Sequence, residues 1–188
     1  MGFQVLLYHE VRPEEELSQT TRPIQVNDGY EDALPVPLFQ SLSHFKQQMT
    51  FLKEENYHLL TLEEVKNYYA GTFSLPEKSI LLTFDDCYQS MKKYAYPILK
   101  ELNFTAVSFV VTGWLYDTPA PFAPEVSRTL SFPELLEMSD VFQYANHTDH
   151  FHERRGTTLG KSMWESEDNF VKDLAACNTW VKYQDVFV

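Results

Sequence analysis

Two groups of polar residues in this sequence have side chains suited to catalysis. The first is the carboxylate pair Asp85 and Asp86, which directly follows the apolar, β-prone segment 80–84. The second group contains three histidines, namely His147, His150 and His152. Imidazole nitrogens and carboxylate oxygens are ligands of zinc and similar ions, and a catalytic zinc site combines three protein ligands with a water molecule. Together the two groups predict a hydrolase that uses a divalent metal.

The metal ligands are predicted to come from both groups. Asp86, His147 and His152 supply one carboxylate and two imidazoles. The two histidines are five residues apart in a predicted loop, so the spacing of helical ligands need not apply. His150 is the competing second histidine, because it lies three residues after His147. A set of two imidazoles and one carboxylate favours zinc among the common ions, with cobalt or nickel as alternatives.

Proton transfer requires two further groups. Asp85 is next to the predicted ligand Asp86 and is therefore placed to act as general base for the attacking water. A general acid must protonate the leaving group, and His9 at the end of the predicted first strand is the best candidate by position. Hydrolysis of a peptide, an ester or an N-acetyl group is compatible with this set of residues.

The pattern of apolar residues predicts an α/β fold that positions these groups. Strands are predicted over residues 3–8, 57–60, 79–84, 105–111 and 142–145, with another beginning at 186–188. Helices are predicted over residues 43–55, 61–71, 88–102, from 131 onward and over 162–182. Pro97 should bend or split the third helix, and a polar loop is expected over residues 10–37. Alternating strands and helices indicate a mainly parallel sheet with active groups at its carboxyl edge.

Length and charge narrow the class of protein. A chain of 188 residues with 44% hydrophobic content is expected to form a single domain over 1–188. The net charge of −12 argues against nucleic acid and anionic membranes as partners. The sequence contains no run of about 18 apolar residues, so no transmembrane segment is predicted. The N-terminus shows no signal-peptide pattern, so the protein is either cytoplasmic or has a leader that is absent from this chain. Oligomeric state does not follow from the sequence.

The motifs resemble those of the polysaccharide deacetylases, also known as NodB-homology or carbohydrate esterase family 4 enzymes. The segment 83–86 resembles the first motif of that family, and His147 followed by His152 resembles its second motif. The five-residue histidine spacing, with the segment 5–9 near the N-terminus, is more similar to the branch that de-N-acetylates poly-N-acetylglucosamine in biofilms. Similar segments occur along nearly the whole chain.

The resemblance implies a distorted, incomplete (β/α) barrel with an open groove for a glycan. It implies the following site residues: Asp85 as base, His9 as acid, and Asp86, His147 and His152 as metal ligands. The expected reaction is removal of N-acetyl groups from an N-acetylglucosamine-containing polysaccharide. An extracellular or cell-surface location is implied, with a cytoplasmic protein as the alternative.

Three departures from the family pattern leave other functions open. Cys87 stands where the family usually has glycine, His150 is an additional potential ligand, and the chain ends at Val188, about where the next motif is expected. That motif supplies an arginine that orients the base and a backbone N–H for the oxyanion, so the domain is expected to be truncated. A catalytically impaired, glycan-binding relative is therefore the main alternative, and a metal-dependent amidase for small molecules is a third.

Overall fold

The structure of the protein is a computed structural model that describes residues 2–17, 21–35 and 38–182. In chain order the strands are β1 (Gln4–Tyr8), β2 (Glu10–Arg12), β3 (Thr21–Gln25), β4 (Ala33–Pro35), β5 (Phe39–Ser41), β6 (His58–Leu59), β7 (Ser79–Asp85), β8 (Ala106–Val110), β9 (Ser127–Arg128), β10 (Phe142–Asn146), β11 (Arg154–Arg155) and β12 (Leu159–Gly160). The α-helices are α1 (Leu42–Glu54), α2 (Leu62–Tyr69), α3 (Tyr96–Leu102), α4 (Phe132–Glu137) and α5 (Glu167–Lys182).

The largest sheet is parallel, and its register aligns the ends of its strands. The strand order is β1-β7-β8-β10, and β6 pairs with the first residues of β7. Tyr8 of β1 pairs with Phe84 of β7, and Asn146 of β10 pairs with Val110 of β8. Within the described residues β1 and β10 are the two ends of this sheet. The α/β class with mainly parallel strands is confirmed, and the arrangement is that of an open, distorted barrel.

Alternating side chains of β7 enter two different cores. Ile80, Leu82 and Phe84 belong to the main core, which also contains buried residues of α1, α3 and α4. Leu81 belongs to a smaller core on the opposite face, to which α2 contributes partly buried side chains. A strand covered on both faces reads as a continuous apolar run. Asp85, the last residue of β7, and Asp86 directly after it are therefore attached to one of the most deeply buried strands of the domain.

Two helices begin where capping signals predicted them. Thr61 Oγ1 accepts a hydrogen bond from the Glu64 backbone N–H at 3.2 Å, and the Glu64 carboxylate accepts one from the Thr61 backbone N–H at 2.8 Å. Ser131 and Glu134 form the corresponding capping box of α4. A π-helical segment, Met91–Ala95, precedes α3, so the predicted third helix is split just before Pro97. None of the helices in the described ranges is long and apolar enough to span a membrane.

Two predicted elements were wrong in part. The predicted loop over residues 10–37 contains the strands β2, β3 and β4, because β3 pairs with β4 and with the distant β9. The last helix begins at Glu167 rather than at 162, and Ser166 Oγ accepts a hydrogen bond from the Asn169 backbone N–H at 3.2 Å. The strand predicted to begin at 186–188 lies outside the described residues.

Candidate active site

The carboxyl ends of β1 and β7 place the predicted acid and base side by side. His9 follows Tyr8, and Asp85 follows Phe84, the residue with which Tyr8 pairs. His9 Nε2 consequently lies 3.8 Å from Asp85 Oδ2. His147, which follows β10, has its Nε2 atom at the same distance of 3.8 Å from Asp85 Oδ2. Asp85 therefore contacts both a predicted proton donor and a predicted metal ligand.

Asp86, His147 and His152 form a group suited to a metal ion. Asp86 Oδ1 lies 3.7 Å from His147 Nε2 and 3.4 Å from His152 Nε2, and the candidate ligand atoms all lie within 4.8 Å of one another. Tetrahedral zinc with bonds of about 2.0–2.2 Å would separate its ligand atoms by roughly 3.3 Å. Asp86 Oδ1 and His147 Nε2 are buried and have no hydrogen-bond partner among the described residues. Because an unpaired buried polar atom is unfavourable, these residues fit a bound cation.

His150 does not join this group. Its Nδ1 atom lies 2.9 Å from Asp28 Oδ2, and half of its side chain is exposed. The imidazole packs against Gly113, where a β-carbon would lie only 2.2 Å from His150 Cε1. Of the two histidines left open by the sequence, the structure thus places His152 beside Asp86 and directs His150 elsewhere.

Burial changes the protonation of the carboxylates and imidazoles in this group. It raises the pKa of Asp85 to about 7, with the charge of Asp86 adding to the effect. It also raises the pKa of Asp86 to about 7. Burial and the neighbouring histidines lower the pKa of His9 to about 4 and that of His147 to about 3. The imidazoles are therefore neutral at pH 7, which is the form that binds a metal.

The turn after β7 has an uncommon backbone conformation. Asp86 and Cys87 have φ angles of 70° and 55°, and such a conformation costs of order 1–3 kcal/mol for each non-glycine residue. The Asp86 backbone N–H donates to the Phe109 carbonyl at 3.1 Å. Cys87 Sγ lies 3.1 Å from Ser108 Oγ in the main core. The cysteine side chain therefore packs away from the ligand group, and burial raises the pKa of its thiol to about 12.

The loop that carries His147 and His152, the two candidate ligands, is held by several polar contacts. Asn146 Oδ1 accepts a hydrogen bond from the Thr148 backbone N–H at 2.7 Å, and Thr148 has a φ angle of 78°. The Thr112 backbone N–H donates to the Thr148 carbonyl at 3.1 Å. The Asp173 carboxylate of α5 accepts from the backbone N–H groups of residues 149 and 150. Side chains and backbone from three other segments therefore determine the path of this loop.

A buried carboxylate near the ligand group was not predicted from the sequence. Glu10 is fully buried, its Oε2 atom accepts a hydrogen bond from Arg12 Nε at 2.5 Å, and its charge contributes to the raised pKa of Asp86. Arg12 is also fully buried and donates to Glu16 and to two carbonyl groups. Opposite charges two residues apart share one face of a strand. That spacing, directly after His9, was the signal that sequence reasoning could have used.

A cavity of about 390 Å³ lies beside these residues, within the range of small-ligand sites. His9, Asp86 and His152 reach its wall. Four aromatic side chains also line it, those of Tyr30, Tyr88, Trp114 and Phe151. Two ion pairs form part of the rim, Asp32 with Arg154 and Glu153 with Lys161. Aromatic faces together with charged hydrogen-bonding groups suit a polar ring such as a sugar.

Comparison with known proteins identifies related sequences. The model of the polysaccharide deacetylase family matches residues 73–183, which is more than half of the chain. A poly-beta-1,6-N-acetyl-D-glucosamine N-deacetylase of Staphylococcus aureus strain MSSA476 is 31% identical over 136 residues. The matched region is 71% of this chain and 45% of that relative. The chain therefore spans less than half the length of this curated relative.

Solved structures show the same fold, and two of them superpose on nearly the whole chain. IcaB from Ammonifex degensii superposes with a TM-score of 0.74 at 24% identity, over 97% of this chain and 69% of that one. The Streptococcus pyogenes deacetylase PplD superposes with a TM-score of 0.73 at 22% identity, over 98% of this chain and 69% of that one. These superpositions confirm the predicted distorted-barrel fold.

Proposed function

The chain belongs to the polysaccharide deacetylase family, and we propose that it removes N-acetyl groups from a polymer of N-acetylglucosamine. The observation that carries this proposal is the grouping of Asp86, His147 and His152 next to the pair formed by Asp85 and His9. The Staphylococcus aureus relative is named for the same reaction on a poly-β-1,6-linked polymer, which supports the choice of glycan.

In this proposal Asp86, His147 and His152 hold a divalent cation. Their two imidazoles and one carboxylate favour zinc, with cobalt or nickel as possible replacements. When bound, the cation polarises the acetamide carbonyl and acidifies the attacking water. The buried, unpartnered atoms Asp86 Oδ1 and His147 Nε2 support this assignment, because a cation would satisfy both.

Asp85 and His9 move the protons. Asp85 accepts the proton of the attacking water, because its carboxylate lies beside the residues that would hold the cation and its Oδ2 atom is 3.8 Å from His147 Nε2. His9 is neutral before the reaction, since burial lowers its pKa. The departing amine must be protonated, and His9, which is next to Asp85 with its Nε2 atom 3.8 Å from Asp85 Oδ2, is the group placed to donate that proton from its ring N–H and to regain one from Asp85 through a bridging water. The products are acetate and a free amino sugar.

The cavity and the charge of the protein are consistent with a neutral glycan substrate. The partly exposed rings of Tyr30 and Phe151 can contact a sugar, and the net charge of −12 favours the cationic amino sugar that the reaction forms. A polymeric glycan of this kind also favours an extracellular or cell-surface site of action. A glycan-binding relative without activity would need the same cavity but would not need the paired acid and base.

Metal content and acetate release together test this proposal. We expect about one zinc-like ion per chain after purification without added metal or chelator, and none in Asp86→Ala. Acetate release from β-1,6-linked N-acetylglucosamine oligomers should stop after chelation and return with zinc. Asp140→Ala is the control, because Asp140 is an exposed carboxylate elsewhere on the surface.

Two results would contradict the proposal in different ways. A chain that contains zinc and binds the oligomers but releases no acetate would support the glycan-binding alternative. A chain that takes up no metal even when titrated with zinc would contradict the metal site itself.

A further inference from the structure

Next to the candidate metal site, the segment 28–32 contacts the segment 150–154, which is distant in the sequence. Every second residue of the first segment makes one of these contacts. Asp28 Oδ2 accepts a hydrogen bond from His150 Nδ1 at 2.9 Å. The Tyr30 hydroxyl accepts one from the Arg154 backbone N–H at 2.9 Å. Asp32 accepts two from the Arg154 guanidinium, at 2.5 and 2.8 Å. We refer to Asp28, Tyr30 and Asp32 together as the clasp.

A candidate metal ligand, His152, lies between the two residues that the clasp contacts, His150 and Arg154. Its Nε2 atom is 3.4 Å from Asp86 Oδ1. Metal-binding histidines usually donate their second ring N–H to a fixed partner. In the described part of the chain the His152 imidazole makes ring contacts but no side-chain hydrogen bond. Its orientation therefore depends on the backbone on either side of it and on its packing.

The clasp also supports His152 from a second direction. The Tyr30 ring stacks on Trp114 with centroids 5.8 Å apart and an angle of 16° between the planes. Trp114 is almost fully buried, and it contacts the His152 ring in an edge arrangement at 5.1 Å. One short segment thus binds the His150 side chain before His152 and the Arg154 backbone and side chain after it, and it supports the tryptophan that contacts the His152 ring.

We infer that the clasp is a positioning element for the metal ion, which holds His152 in the orientation that faces Asp86. This inference rests on the proposed metal site, but it concerns residues that contact neither the ion nor the reacting atoms. None of the three clasp residues belongs to the ligand group. Removing a clasp contact should therefore weaken metal binding while leaving all three ligands in place.

The test is zinc affinity measured on metal-free protein by competition with a chelating dye. Asp28→Asn and Asp32→Asn should each bind zinc more weakly than the wild type, by about tenfold, the low end of the range for a lost direct partner of a ligand, because each contacts a neighbour of His152 rather than His152 itself. Glu55→Gln is the matched control, because it breaks an ion pair of similar length, Lys78 to Glu55 at 2.9 Å, in another part of the fold. Tyr30→Phe keeps the aromatic stack and should lose less affinity than Asp32→Asn.

The melting temperature of the metal-free variants separates positioning from general stability. The inference predicts that the clasp variants melt, without metal, as the Glu55→Gln control does. Zinc affinity equal to the wild type would overturn it, and so would an affinity loss matched by a lower melting temperature of the metal-free protein. A wild-type chain that binds no zinc would instead contradict the proposed metal site and this inference with it.

Discussion

The two halves of the candidate active site are held in place by different interactions. His9 directly follows β1, Asp85 ends β7 and Asp86 follows it. These two strands pair over five residues and have side chains in the main core. His147 and His152 lie in the loop after β10, and the path of this loop depends on side chains from other segments. The half of the site on the sheet should therefore be as stable as the sheet itself. Changes in the loop that carries the two histidines can alter metal binding without unfolding the domain.

The two histidines that we propose as ligands differ in the same way. The His147 backbone N–H donates to the Val110 carbonyl at 3.0 Å, so this ligand is attached directly to the sheet. His152 is five residues further along and depends on contacts that the clasp makes to His150 and Arg154. Distant substitutions should therefore change the position of His152 more than that of His147.

Among substitutions in the loop, we expect the largest loss of zinc binding when His152 is replaced and a smaller loss when His150 is replaced. His152→Ala removes a proposed ligand, so the variant should no longer retain zinc through purification and dialysis. His150→Ala leaves the candidate ligand group intact and removes one contact of the loop with Asp28, so zinc should bind more weakly, by at most about tenfold, the low end of the cost of a lost direct partner of a ligand. Equilibrium dialysis with metal analysis measures both. Retention of zinc by His152→Ala together with its loss in His150→Ala would reverse the assignment of the second ligand.

A smaller effect is expected for Gly113→Ala, which tests the contact beneath the loop. An added β-carbon would lie 2.2 Å from His150 Cε1 and 2.7 Å from the Asp149 carbonyl oxygen. The imidazole can rotate away, but the backbone oxygen must shift, so we expect the free energy of unfolding in urea to fall by about 1–3 kcal/mol.

Gly160→Ala is the control for this prediction, since a β-carbon there has its nearest contact at 4.0 Å. Equal unfolding free energies for the two alanine variants would show that the loop tolerates the shift. That result would contradict the inference that the loop is tightly packed against Gly113.

The sequence predicted the sheet half of the site more completely than the loop half. The apolar run before Asp85 and the short segment before His9 are local signals, and parallel strands bring their carboxyl ends to one edge. The choice between His150 and His152 remained open, because it depends on Gly113 and Asp28, which are distant in sequence.

The clasp had no local signal at all. Asp28 and Asp32 lie in a segment predicted as a loop, and each contacts a partner 122 residues away. The start of α5 was different, because a local signal existed. Ser166 followed by Glu167 and Asp168 is a typical helix start, but the apolar residues before it extended the predicted helix too far.

Acetate release by Asp85→Asn is the most direct test of the central claim that a general base beside the metal ligands deacetylates a glycan. Asparagine keeps the shape of the side chain but cannot accept the proton of the attacking water. We predict zinc content equal to the wild type and a rate of acetate release lower by about 10²–10⁴-fold. Acetate release by zinc-loaded Asp85→Asn at the wild-type rate would contradict the account.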